Sequence, residues 1–244
     1  MCRHLAYLGP PVPLEDVLIN PPYGLYRQSW APRQQRFGTV NADGFGVGWY
    51  ADGDPVPARY RREVPIWADD SFADIARVTR TGALLAAVRS ASAATSHDAS
   101  AAAPFTADGW LFSHNGRLDD WPASAASLAA TLPPAELLTL EARVDSALLW
   151  ALVLHRLRSG QPPGAALLGT LAALDDAGLA GRFNFLLTDG RSIAASAKGD
   201  TLCYREAGDT ITVASEPADD EPGWHEVPEG SVLTAGLHEG IEIR

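Results

Sequence analysis

Met1-Cys2-Arg3-His4 opens the chain, and the reading of Cys2 decides what the rest is built for. A cysteine directly after the initiator methionine becomes N-terminal once Met1 is removed, and it then carries both a thiol and a free α-amine. An α-amine with a pKa of roughly 8 serves as a base near neutral pH. One residue then supplies nucleophile and base together, the amine taking the thiol proton directly or through a water. A second-position cysteine is usually incidental, so the catalytic reading needs other residues to join it.

Downstream, residues 10–43 are rich in proline, glycine and asparagine, with one short apolar run at Val17-Leu18-Ile19, which predicts long loops around a site. Asn41-Ala42-Asp43-Gly44 reads as a turn into a strand, Phe45 to Tyr50, with glycine at alternate positions. A bare strand face of this kind admits either a ligand or a closely packed sheet. Arg59 to Val64 reads as a second strand and Ser71 to Thr79 as a short helix. The continuous apolar run 83–88 predicts a strand buried on both faces that delivers Arg89 at its end. Trp110 to Ser113 is expected to be another strand, with His114-Asn115-Gly116 at its polar tip.

Val144 to Leu157 is apolar on nearly every helical face, with Asp145 in the first turn and Arg156 and Arg158 near the end, where the charges suit the helix dipole. Such a helix is covered on more than one side, by a sheet and with room for a second subunit, which leaves a homo-oligomer open. A further helix is expected over 164–176. Short β-like segments at 183–188, 192–197, 201–204, 210–215 and 232–234, separated by Gly/Asp turns, read as an antiparallel meander. No internal repeat or domain boundary stands out. Strands, then helices, then strands favour two packed sheets with helices outside over a βαβ array, in one domain spanning 1–244.

With 19 basic and 30 acidic residues, a net charge of −11 and scattered basic residues, the chain is not suited to nucleic acid or to an anionic membrane. No apolar run approaches the ~18 residues that span a bilayer, and the first residues lack a signal-peptide pattern. Cys2 and Cys203 are the only cysteines, too few for a disulfide framework, so a reducing cytoplasm is expected. His4, His97 and His114 with Cys203 lack the spacing of a zinc site, and no metal is expected.

Cys2, Arg89 with Ser92, Asn115-Gly116 and Asp145 all stand at expected loop tips or element ends. Each alone has an ordinary structural explanation: an ion-pair arginine, an Asn-Gly turn, a helix N-cap. Together they resemble the class II glutamine amidotransferases of the N-terminal-nucleophile hydrolase fold. That family begins Met-Cys, carries a strand ending Arg-x-x-Thr/Ser, then His-Asn-Gly after a further strand, then Asp at a helix start. Within it the likeness runs closest to the γ-glutamyl hydrolases of ergothioneine biosynthesis. It is carried by Met1 to Leu5, Gln28 to Pro32, Asn41 to Gly44, Ala86 to Ala91 and Gly199 to Leu202.

The resemblance implies an α+β, four-layer αββα sandwich that acts on a small γ-glutamyl amide without a cofactor. It also implies roles. Cys2 attacks and forms a γ-glutamyl thioester. Arg89, which can fork onto a carboxylate, and Ser92 bind the substrate α-carboxylate, and Asp145 binds its α-ammonium. The Asn115 amide and the Gly116 N–H form the oxyanion hole, where one donor is typically worth ~3–4 kcal/mol. Ser92 departs from the family's usual threonine. The chain ends where a glutaminase domain would, so a free-standing hydrolase is expected, with a glutaminase subunit feeding a separate synthase, or a non-catalytic γ-glutamyl-binding protein, as alternatives. For the leaving half, a trimethylated histidine betaine, the candidates are Arg3, Trp30 and Trp224 with the acidic Asp219-Asp220-Glu221 segment.

Overall fold

A computed structural model of the chain describes residues 2–91, 95–96 and 98–244. Among them are thirteen strands: β1 (Arg3–Pro13), β2 (Phe45–Trp49), β3 (Ala58–Arg62), β4 (Arg80–Val88), β5 (Phe105–Ala107), β6 (Trp110–Leu118), β7 (Gly181–Thr188), β8 (Ser192–Ser196), β9 (Cys203–Ala207), β10 (Thr210–Ala214), β11 (Trp224–Glu226), β12 (Val232–Gly236) and β13 (Gly240–Ile243). They form two antiparallel sheets, ordered β11-β9-β10-β1-β4-β2-β3 and β13-β12-β8-β7-β6-β5. Seven α-helices accompany them: α1 (Leu14–Leu18), α2 (Leu25–Gln28), α3 (Asp70–Val78), α4 (Ala126–Ala129), α5 (Pro134–Leu137), α6 (Asp145–Arg158) and α7 (Pro163–Asp176).

Three apolar cores define the layers. Leu14, Leu18, Leu25 and Phe72, from α1 to α3, pack on Leu5, Val47 and Val88 of the first sheet. The next residues along β1 and β4, Ala6, Leu8 and Leu85, meet Leu111, Leu186, Ala195 and Leu233 of the second sheet. The far face of that sheet, with Phe112, Phe185 and Leu187, carries Leu148, Leu152, Leu167 and Leu171 of α6 and α7. The protein is therefore an αββα sandwich. Its central strands are covered on both faces, which is why β4 reads as an unbroken apolar run; α6 is apolar almost all round because the second sheet, α7 and α5 all pack against it.

The glycine face of β2 serves sheet packing. A Cβ at Gly46 would lie 2.3 Å from the Ala103 carbonyl oxygen, and one at Gly48 2.7 Å from the Leu111 side chain. Three expectations need correction. His114-Asn115-Gly116 is not a strand tip but lies within β6, with Asn115 level with Asn184 and Gly116 with Phe183 of β7. The segments after residue 181 are not one meander, since β7, β8, β12 and β13 join the second sheet while β9, β10 and β11 join the first. The crossover at 198–201 is held by Asn184, whose Oδ1 accepts from the Lys198 and Asp200 amides and whose Nδ2 donates to the Asp200 carbonyl. Local alternation shows that a segment is a strand but not which sheet it joins. The stretch 10–43, expected as loop, includes the end of β1 and two short helices, and is irregular at 19–24 and from Ser29 onward.

Candidate active site

Cys2 stands immediately before β1, where Arg3 is level with Val88, the last residue of β4. That register sets Cys2 beside Arg89. On the second sheet β6 brings up Ser113, His114 and Gly116, and the start of α6 brings Asp145 and Ser146, so that all of these line one cavity with Cys2 and Arg89. The cavity is narrow, about 30 Å³ in volume.

Each wall residue is held in place. The Arg89 guanidinium donates to the Asp43 carbonyl (3.3 Å), the Thr95 hydroxyl (3.1 Å) and the Ser96 carbonyl (2.8 Å). Asp145 does not cap α6 from outside; it is the helix's first residue, and Val144 occupies the cap position. Its carboxylate accepts from the Leu118 amide (2.7 Å) and the Ser146 amide (2.8 Å), tying the helix start to β6. Gly116 is required by more than an open N–H, since a Cβ there would fall 1.9 Å from the Arg182 carbonyl oxygen.

His114 Nε2 lies 2.8 Å from the Arg182 carbonyl, which only accepts, so Nε2 carries the hydrogen and Nδ1 accepts from the Ser146 hydroxyl at 2.9 Å. Burial pushes its pKa down. The pKa of His4, on β1, is held at about 3, first by burial and then by the charge of Arg3. Both rings are thus neutral braces, His4 Nδ1 meeting Ser113 Oγ across the gap between the sheets at 3.2 Å.

Asn115 does not itself line the cavity. Its Nδ2 lies 3.4 Å from both Asp200 Oδ2 and Ser215 Oγ, and its buried Oδ1 has no partner among the described residues. Ser92 lies outside the described residues. One leaving-group candidate needs correction. Arg3 is completely buried and bonded to Asp200, Thr201 and Gln35, so it offers no surface to a substrate. Trp30 is engaged by the edges of Tyr26 and Trp67 and by the Arg27 guanidinium 5.3 Å above its ring, and lines no described cavity. Trp224 does line one, about 190 Å³ in volume, with Arg33, Glu216, Asp219 and Asp220. Sequence reasoning missed Asp200, Ser215 and Ser146, whose residue types are commonplace and whose roles arise only from contacts across the fold.

The fold and this cavity define the class: residues 25–209 match the glutamine amidotransferases class-II family, and the chain belongs to it. It is 40% identical over 230 residues to the gamma-glutamyl-hercynylcysteine sulfoxide hydrolase of Mycolicibacterium smegmatis, covering 94% of this chain and 93% of that protein. The hydrolase of the same name from Mycobacterium tuberculosis is also 40% identical, with 94% and 90% covered. Among solved structures, a glutamine aminotransferase class-II domain protein from Silicibacter pomeroyi superposes with a TM-score of 0.71 at 25% identity, over 100% of this chain and 98% of that one. The glutamine phosphoribosylpyrophosphate amidotransferase of B. subtilis shares the fold, with a TM-score of 0.69 at 18% identity over 100% of this chain and 49% of its own.

Proposed function

We propose that this chain is a single-domain amidohydrolase of the cytoplasm. It would cleave the γ-glutamyl amide of γ-glutamyl hercynylcysteine sulfoxide to glutamate and hercynylcysteine sulfoxide in ergothioneine biosynthesis. The observation that carries this is the convergence of Cys2, Arg89, Gly116 and Asp145 on one cavity from four separate segments, in a chain 40% identical to hydrolases of that name. A γ-glutamyl group needs a cation for its α-carboxylate, an anion for its α-ammonium and donors for the reacting carbonyl. Arg89, with Ser92, supplies the first and Asp145 the second. The Gly116 N–H and the Asn115 amide supply the third.

With Met1 removed, the Cys2 α-amine takes the thiol proton and the sulfur adds to the γ-carbonyl carbon. The tetrahedral intermediate collapses to a γ-glutamyl thioester, and the amine leaves with that proton. Water then adds to the thioester, glutamate departs and the thiol is restored. The leaving half bears a permanent trimethylammonium charge. The Ser215 amide donates to the His4 carbonyl (3.0 Å), so Glu216 and Pro217 run beside the start of β1, on the opposite edge from Arg89. There the Trp224 cavity sets an indole beside Glu216, Asp219 and Asp220, the last two paired with Arg205 and Arg33, and a cationic leaving group would meet the indole face. Cation–π contacts are worth ~0.5–2 kcal/mol.

The test compares kcat/KM for γ-glutamyl hercynylcysteine sulfoxide with that for glutamine, in wild type and Trp224→Ala. The hydrolase reading expects a preference of orders of magnitude for the former, eroded by Trp224→Ala with little effect on glutamine. Glutamine as the better substrate, hydrolysed faster with a co-purified synthase, would replace this reading with a glutaminase subunit. Intact mass of the active protein should lack Met1.

A further inference from the structure

At the start of β1 lies a buried ion pair for which the proposed chemistry has no use. Arg3 and Asp200 have fully buried side chains and meet at 3.1 Å. Charge pairs buried this way are at best weak stabilisers, and Asp200 has further partners. Its Oδ1 accepts from the Thr201 amide at 2.8 Å, and its backbone is clasped by Asn184. Its Oδ2, besides Arg3, faces Asn115 Nδ2.

A carboxylate bridged to a guanidinium presents only acceptors, so it tolerates only the NH₂ end of the Asn115 amide; the rotated amide would set oxygen against oxygen. Ser215 Oγ, which accepts from the His4 amide at 3.0 Å, receives the same NH₂ group from the other side. Both contacts are 3.4 Å long, at the limit of hydrogen bonding.

We propose that Asp200 is a positioning residue: it fixes the orientation of the Asn115 amide and, through Arg3, couples it to the start of β1 where Cys2 stands. This rests on the reading of Cys2 as nucleophile and Asn115 as oxyanion donor. Asp200→Asn alone leaves Arg3 as a lone buried charge and invites unfolding. The informative variants are therefore Arg3→Gln/Asp200→Asn, which removes both charges at similar volume, and Asp200→Glu, which keeps the charge but displaces it.

Folding is followed by circular dichroism and thermal melting, and turnover with γ-glutamyl hercynylcysteine sulfoxide as probe. The folded double variant should keep KM within about threefold, because Arg89 and Asp145 are untouched, and lose about 100-fold in kcat, the scale of one misdirected oxyanion donor. Asp200→Glu should lose at least about 10-fold in kcat, and it decides the question alone if the double variant does not fold. In an Asn115→Ala background the double change should cost less than about threefold more, since the group it aims is gone. A folded variant with wild-type kcat, a loss confined to KM, or a full additional loss on Asn115→Ala would overturn the proposal. An active Cys2→Ala, or Asn115→Ala at the wild-type rate, would instead remove the reading beneath it.

Discussion

The two cysteines occupy opposite environments. Cys2 is half-buried at the active-site cavity, whereas Cys203 is buried in β9 with its sulfur 3.4 Å from the Ala214 carbonyl. Burial, reinforced by Glu216 and Glu226, pushes the Cys203 thiol far up, so the thiolate that attacks a carbonyl is not formed there. Cys2→Ala is expected to abolish turnover while leaving the melting curve and substrate binding intact, and Cys203→Ala to leave kcat within about twofold. A γ-glutamyl electrophile should add its mass to Cys2 alone. The reverse pattern would move the nucleophile to Cys203. At this scale much of the site was legible, because Cys2, Arg89, Gly116 and Asp145 carry their chemistry in their residue types. Asn115 was legible as a type but not as an orientation, and Arg3 looked available only because its partner is 197 positions away.

Among the elements, β2 shows how a sequence pattern with two meanings is resolved by its neighbour. Its alternate glycines bring the first sheet against Ala103, Pro104 and Leu111 rather than opening a ligand groove. At Gly46 the obstacle is a carbonyl oxygen of the backbone, and at Gly48 it is the tips of Leu111. Gly46→Ala should therefore destabilise the protein by about 1–3 kcal/mol in urea unfolding. Gly48→Ala should be milder, since a leucine tip can rotate away. A Gly46→Ala protein as stable as wild type would mean that the sheets are not held at this spacing. Strand β6 makes a related point, because placing Asn115-Gly116 inside a strand paired with β7 from Leu111 to Leu118 gives those groups the rigidity of that ladder.

For the whole molecule, the interface between the two sheets contains a histidine that resists protonation. His4 is completely buried and its pKa falls from 6.5 to about 3, so the unfolded chain takes up this proton at a higher pH than the folded one does. His4 thus costs nothing above pH 6.5, and stability is lost as pH falls from 6.5 toward 3. The slope reaches about 1.4 kcal/mol per pH unit for one such histidine. His114, also shifted down by burial, acts in the same direction. Urea unfolding at pH 7.5, 6 and 5 should show this loss, and His4→Gln should flatten it. An unchanged slope in His4→Gln would mean that His4 does not titrate across unfolding.

The sequence by itself determined which segments are strands and helices wherever periodicity or an unbroken apolar run was strong, as in β4, β6, α6 and α7. It also determined the kinds of chemical group at the site. Tertiary structure alone decided which sheet each late strand joins, that His114-Asn115-Gly116 sits inside β6, and that β1 is a central strand, since a strand covered on both faces shows no alternation. It likewise decided that Arg3 pairs with Asp200 in the interior and that Trp30 packs against Trp67. The physical reason is range. Backbone periodicity is a property of neighbouring residues, whereas burial, ion pairing and amide orientation depend on partners that only folding brings together.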